Sequence, residues 1–363
     1  MTGLAVAVLA YGLLQTVVDA WYAGAASASG TRLVTRSAIS LTIFLPVSYE
    51  NRVRSVEGVS RVARSNWFGG IYQEPKNFFP QFAVSDNYLD LYPEFLLPED
   101  QRAAYLRDRK GALVGRQLAD SFGFKVGDVL PIRGTIFPGT WEFVVRGIFE
   151  GSDSTKVTRQ MLFHWDYLNE TMRKTAPRRA DQVGVYVVGI DNIDNAAAVS
   201  TAIDGVFRNS LAETLTETEQ AFQLGFVALS DQIIAAIRIV SYVVILIILA
   251  VMANTMAMSA RERTGEYATL KALGFGPGFL LALVAGESLF IAFVGCAFGI
   301  ALMLPVAAGF GTALSSLFPV FRVAPETYVW QVGCAVAVGV AAAVLPAIRA
   351  ATVNVVDGLR NIG

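Results

Sequence analysis

The residue types that do chemistry are sparse in this chain. Its 363 residues hold one histidine and two cysteines. One histidine excludes every motif that needs two, H-E-x-x-H among them. No Gly-Lys dipeptide occurs, so there is no Walker A loop to cradle a nucleotide's phosphates. His164, in FHWDYL, has no evident partner beside it and reads as structural. Acidic pairs such as Glu99–Asp100 read as a helix start, where carboxylates meet the positive end of the dipole. Cys296 and Cys334 fall in apolar runs at different depths and read as small packing residues, not as a disulfide. No catalytic residue, metal site or cofactor is expected.

Two places keep chemical interest. One is Glu287, in VAGESLF, a lone carboxylate about 12 Å into an apolar helix by the helical rise. A charge there is costly and usually faces the bundle interior. Three readings stand for it: a structural partner within the bundle, a coupling role, or a proton relay. The last lacks a second acidic or histidine residue in any span to receive the proton. The other place is SARERTGEYATLKALGFGPG, which follows the second apolar run. Arg261, Glu262, Arg263, Glu266 and Thr269 fall on a polar side. Tyr267, Leu270 and Leu273 recur at i, i+3, i+6 as a narrow apolar stripe. Gly274 and Gly276 end the helix and Pro277 stops its continuation. Such a segment is either a solvated turn or a docking lever for a partner, with Leu270 and Leu273 as its anchors.

The elements that must position these residues are membrane spans. Charged residues are only 16 % of the chain, against roughly 25 % in an ordinary soluble domain. They are also unevenly placed: residues 25–231 hold 22 basic and 24 acidic side chains, leaving 13 charges for the other 156 residues. Four stretches can cross a hydrocarbon core of about 30 Å. They are 1–24, 239–258 (with a stalk end from 232), 279–309 and 328–348. The first is short and is followed by AGAASASG, so it reads either as a retained helix or as a signal peptide. Within the third, Gly295 and Gly299 form a GxxxG that allows close helix contact. Basic residues in short loops set orientation. Arg261, Arg263 and Lys271 lie in the 259–278 loop and Arg349 and Arg360 in the 349–363 tail, while the 310–327 loop has only Arg322. The 2–3 loop and the tail are therefore expected inside, and 25–231 outside, in a multi-pass protein of the inner (plasma) membrane. A net charge of −1 gives no support to nucleic-acid binding.

The 25–231 block, with no cysteine, must stand on its own core. Strands are expected over 31–36, 60–68, 78–84, 111–115, 128–133, 140–149 and 182–190, and helices over 48–56, 99–108, 116–122, 165–172 and 195–208. That mixture predicts an α+β domain. The aromatic residues of 66–95 are expected to be mostly core, with part left as an apolar contact surface for a partner or lipid-like ligand. Residues 212–238 read as one helix running straight into the second span.

The loop sequence RERTGEYATLKALGFG closely resembles the R-E-R-T-x-E-x-x-x-L-K-A-L-G segment of FtsX-like ABC transporter permeases of the MacB and lipoprotein-release (type VII) family. The ending PAIRAATVNVVDGLR is similar to that family's P-A-x-R-A-A-x-x-x-P-v-e-a-L-R, through Pro346, Arg349, Ala350, Ala351, Leu359 and Arg360. Val355 stands where a proline is usual and Thr352 where an arginine is common. GALVGRQLADSFGFKVGDVLPI resembles the family's outer-domain run of strand, helix and "GD" strand. One span, about 200 residues and three spans match the family's order over the whole chain. The cytoplasmic segment that usually precedes span one is missing, which points to a start upstream or a truncation.

The resemblance implies a permease subunit that works as a dimer, with a second copy or a paralogue, alongside a separate ABC ATPase. The ATPase-coupling helix would be Arg261, Glu262, Arg263, Thr264, Glu266, Tyr267, Leu270, Leu273 and Gly274. Mechanotransmission through the stalks would let the outer domain act on membrane lipid, a lipoprotein, a periplasmic adaptor or an exported cargo. The rival function is a membrane-anchored sensor or scaffold that regulates an outer partner, and it leaves the RERTGEY segment unexplained.

Overall fold

The computed structural model describes residues 2–26, 28–152, 158–228, 230–313 and 321–353. Helix α1 spans Thr2–Ala26. Strands β1 (Arg32–Ser37) and β2 (Leu45–Pro46) lead to helix α2 (Tyr49–Arg54). Strands β3 (Val59–Trp67), β4 (Gly70–Tyr72), β5 (Gln81–Val84) and β6 (Phe95–Leu96) precede helix α3 (Glu99–Arg107). Strand β7 (Gly111–Gly115), helix α4 (Arg116–Phe122), and strands β8 (Val129–Gly134) and β9 (Gly139–Gly151) follow. Then come β10 (Met161–His164), α5 (Trp165–Thr175), β11 (Gln182–Val183), β12 (Val185–Ile190), α6 (Ala196–Val206), β13 (Thr214–Thr218) and α7 (Glu219–Ala228). Helices α8 (Asp231–Glu262), α9 (Thr264–Ala272), α10 (Pro277–Ala313) and α11 (Pro325–Thr352) follow. Two compact units result: one within residues 2–21, 230–313 and 321–353, the other within 22–228.

The second unit is α+β. Its eleven-stranded sheet runs β13-β1-β12-β3-β5-β10-β7-β9-β8-β4, with β6 paired to β9. β5–β10 and β7–β9 are parallel and the remaining neighbours antiparallel. Both faces of the sheet carry apolar residues. Along β12, Tyr186 and Val188 enter the main core with Leu33, Phe68 and Ile203, while Val187 enters a second cluster with Tyr88, Leu113 and Phe149. That explains the unbroken apolar run VYVV, where a half-buried strand would alternate. Gly123 takes φ +71° past the end of α4, a left-handed turn that favours glycine.

The expected strands and helices are found, with shifts of one to three residues at most ends. Other segments differ: β2, β4 and β6 were not among the expected strands, and the 182–190 run divides at Gly184 into β11 and β12, in different sheets. β10 was not among the expected strands, although it is central, pairing with both β5 and β7. Residues 212–238 are not one helix. Thr214–Thr218 is an edge strand on β1, with Thr216 opposite Thr35 and their hydroxyls 2.9 Å apart. Asp204 of α6 accepts hydrogen bonds from the Thr216 amide at 3.0 Å and from the Thr214 and Thr216 hydroxyls at 2.8 and 2.7 Å. Alternating threonines serve such a strand better than a helix. α7 and α8 are separate helices, ending at Ala228 and starting at Asp231.

Among the described residues, four helices are long and apolar enough to cross a membrane: Thr2–Ala23, Asp231–Glu262, Pro277–Gly311 and Pro325–Thr352. Small residues line their contacts, as close helix approach in lipid requires. Leu4 and Val8 of α1, Met252 of α8, Ala292 and Cys296 of α10, and Ala335, Val338 and Ala342 of α11 form one cluster. A Cβ on Gly339 would lie 2.9 Å from that of Ala292, and the Ser288 hydroxyl donates to the Gly339 carbonyl at 2.7 Å.

Candidate functional site

A single residue, Arg263, separates α8 from α9. Its amide bonds back to Ser259 O at 3.1 Å, and its carbonyl accepts from Tyr267 N at 3.1 Å. The Thr264 hydroxyl donates to Arg261 O at 2.7 Å, satisfying a carbonyl that the end of α8 leaves open. α9 closes as a Schellman motif. Gly274 takes φ +96°, its amide reaches Lys271 O at 3.0 Å, and Phe275 N reaches Leu270 O at 3.1 Å. Pro277 opens α10, where its missing N–H costs nothing.

Charged side chains then fasten both ends of α9. Arg263 Nε lies 2.8 Å from Glu266 Oε2, and its Nη1 lies 2.8 Å from Glu287 Oε2 on α10. The hydrogen bond to Glu266, aided by the charge of Glu287, holds the Arg263 guanidinium above its ordinary pKa. At the other end, Lys271 Nζ donates to Ala351 O at 2.6 Å and Val353 O at 2.8 Å, at the end of α11. Between these ties, Tyr267 and Ala268 are buried. Tyr267 packs among Met256, Leu280, Val284 and Ala347, with Leu270 against the same cluster.

The expected apolar stripe therefore splits. Each three-residue step falls about 60° short of a full turn, so the stripe drifts around the helix. Tyr267 is buried, Leu270 is half-buried, and Leu273 is 71 % exposed. Leu270 is committed to its own unit, and the exposed apolar residue of the three is Leu273. Phe275, which sequence reasoning passed over, is also exposed, its ring tilted against that of Phe279 at 4.7 Å. Arg261, Glu262, Glu266 and Gly274 are exposed, and Thr264 is half-buried.

Glu287 has a partner, but it comes from the α8–α9 corner, a source the sequence did not suggest. Gly295 and Gly299 face α1. A Cβ on Gly295 would lie 2.7 Å from a Leu4 methyl, and one on Gly299 2.8 Å from Ala5 O. Asp19 is another carboxylate within a candidate span. Asp19 accepts from Gln15 at 3.0 Å and Thr327 at 3.1 Å. Deeper, Gln331 donates to Val8 O at 2.9 Å across the α1–α11 contact. Cys296 and Cys334 are free thiols. Pro346 and Ala350 are buried on α11, and Arg349 and Ala351 lie on the same helix, whereas Val355, Leu359 and Arg360 fall outside the described residues. His164 also has partners: Nδ1 lies 2.9 Å from Asp86 Oδ1 and Nε2 2.9 Å from Tyr105 O, with the two rings stacked. The contact holds the Asp86 carboxyl below its usual pKa.

Residues 238–355, from within α8 to just past α11, match the family model described as FtsX-like permease C-terminal. The chain carries an FtsX-like permease domain. That match encloses the Arg263–Glu287 tie and the Lys271 bonds, so both belong to the FtsX-like core. Among solved structures, the periplasmic region of MacB from Actinobacillus actinomycetemcomitans is similar at 8 % identity and TM-score 0.38, covering 54 % of this chain and 92 % of that one. The extracellular domain of the ABC-type transporter YknZ from Gram-positive bacteria is similar at 12 % identity and TM-score 0.36, covering 52 % and 98 %. No curated protein matches the chain.

Proposed function

We propose that this chain is the permease subunit of an ABC system. It couples ATP hydrolysis by a separate nucleotide-binding chain to conformational work on the outer face of the membrane, in export or in lipid or lipoprotein extraction. The observation that carries this is α9 within the FtsX-like core: a short helix tied to α10 through Arg263–Glu287 and to α11 through Lys271, with Glu266 exposed on it, Arg261 and Glu262 exposed at the end of α8, and Leu273 exposed just past its C-terminus. A load applied there passes through the ties into two spans. Glu287 then serves as a coupling residue. The basic residues of the α8–α10 connection support a reading with α9 on the cytoplasmic side and residues 25–231 outside. Two such chains, or one with a paralogue, meet two ATPase subunits.

The test is co-purification with the P-loop ATPases of the source cell, tagged and co-expressed one at a time with the full chain. One ATPase should be retained. Glu266→Lys with Leu273→Ala should cut its affinity at least thirtyfold, the equivalent of about 2 kcal/mol for losing an interface anchor. Both side chains are exposed, so folding should be unchanged in a thermal scan. If no ATPase is retained, or if recovery by the folded double variant is undiminished, α9 is not the coupling element.

A further inference from the structure

The second unit contains a cavity of about 1190 Å³. Drug-sized ligands occupy sites of roughly 300–1,000 Å³, so this one is large enough for a lipid. Its floor is the sheet face opposite the main core. Val34, Val185, Val187, Trp67 and Phe82 line it from the adjacent strands β1, β12, β3 and β5. They alternate with Leu33, Tyr186, Val188, Phe68 and Ala83, which enter the main core. One wall is α7, through Phe222 and Phe226, whose rings meet edge-on at 5.1 Å. Trp67 is 40 % and Phe226 48 % exposed. Val34 and Val187 are buried at the floor, and Trp67 and Phe226 keep apolar surface exposed, at about 25 cal/mol for each Å².

The polar part of the lining selects among apolar occupants. Its charged residues are Arg32, Arg179, Glu94 and Glu219, two of each sign. Arg32 bridges Glu94 at 2.6 Å and Glu219 at 2.7 Å, and its guanidinium lies 4.1 Å from the centre of the Tyr92 ring. The Tyr92 hydroxyl donates to Glu219 at 2.9 Å. Arg179 donates to Ile136 O at 2.7 Å. A ligand with net charge would give up its hydration for a lining whose charges already cancel.

We propose that this cavity binds an amphiphile of lipid size and zero net charge. Its apolar body lies on the valine and aromatic floor against α7, and its polar end meets the Arg32–Glu94–Glu219 cluster. The proposal goes beyond the permease reading and does not depend on the ATPase.

The experiment uses the full chain in nanodiscs and a soluble short-chain phosphocholine carrying a diazirine in its chain. Crosslinks are mapped by mass spectrometry. Label is expected on peptides holding Trp67, Phe82 and Phe226, besides the background on the spans. Val185→Trp, which sets a bulky ring on the cavity floor, and Phe226→Asp, which sets a lone carboxylate in an exposed wall position, should each lower the second unit's labelling about tenfold and leave the spans' labelling alone. Two variants on different elements guard against one misfolding. Unlabelled amphiphiles of the same chain with a sulfate or trimethylammonium head should compete at least fivefold less well than the phosphocholine. Label confined to the spans would overturn the proposal. So would labelling insensitive to both variants, equal competition by a charged head, or protection by an added polypeptide or by raised protein concentration, which would make the face a protein interface.

Discussion

Two arginines in this chain each stand between two carboxylates at nearly the same distances, in opposite surroundings. Arg32 contacts Glu94 and Glu219 at 2.6 and 2.7 Å, with side chains 6 %, 14 % and 7 % exposed. Arg263 contacts Glu266 and Glu287 at 2.8 Å each, with side chains 35 %, 61 % and 36 % exposed. Burial pulls the Arg32 pKa down, yet Glu219 and Glu94 outweigh it and hold the group above its ordinary value. A buried charge has no water to fall back on, so a missing partner leaves it uncompensated. A half-exposed charge rehydrates at small cost. The same three-residue chemistry is therefore a lock in the second unit and a releasable latch in the first.

The largest expected effect is at the lock. Glu219→Leu strands Arg32 with one carboxylate and should destabilise the second unit by about 3–5 kcal/mol. For a unit of its size that is a fall of roughly 6–20 °C in its thermal transition. The comparison breaks if the transition moves by less than about 2 °C. It sharpens if Arg32→Met, Glu94→Leu and Glu219→Leu together recover most of the loss, because replacing a whole buried charge group by packed apolar residues is often neutral or better.

What was legible in the sequence follows the range over which each feature is determined. The seven expected strands and five helices rest on local periodicity, and their counterparts are present. β10 was missed because MLFH is a four-residue apolar run, which periodicity alone cannot assign. β13 was missed because its partner, β1, lies about 180 residues earlier, and the helical run after it masked its own pattern. The RERTGEY helix could be read from its neighbours, but the partner of Glu287 could not. The Arg263 tie spans 24 positions and exists only because a one-residue corner and the Gly274 turn fold α9 back towards α10. The aromatic run of 66–95 hinted at an apolar contact surface. Its division into core and cavity depended on which sheet face each strand residue takes, as Phe68 and Trp67 illustrate: neighbours in sequence, one in the main core and the other lining the cavity.

A middle-sized effect is expected at the latch. A double-mutant cycle with Arg263→Gln and Glu287→Gln should give a coupling of about 0.5–1 kcal/mol in thermal stability, the range for partly exposed pairs. Raising salt from 0.05 to 0.5 M should reduce it, since exposed charges are screened and buried ones much less. The matching cycle on Arg32 and Glu219 should show little salt dependence. Equal salt responses of the two cycles would mean that exposure does not set the difference.

The smallest effect belongs to Glu266, the most exposed of the six groups. Glu266→Gln removes one of Arg263's two ion pairs and leaves the other, to Glu287, in place. An i, i+3 pair on a helix surface contributes about 0.2–0.5 kcal/mol, and the variant's stability should move by no more than that. The same change should nevertheless weaken recovery of the ATPase, because Glu266, besides pairing with Arg263, lies exposed on α9. Thermal scans and pull-downs on one preparation separate the two roles. A loss of stability above about 1 kcal/mol would make Arg263–Glu266 part of the fold's framework and the latch a second lock. Unchanged stability with reduced ATPase recovery would place Glu266 at the partner and leave Glu287 as the carboxylate that carries the load into the membrane.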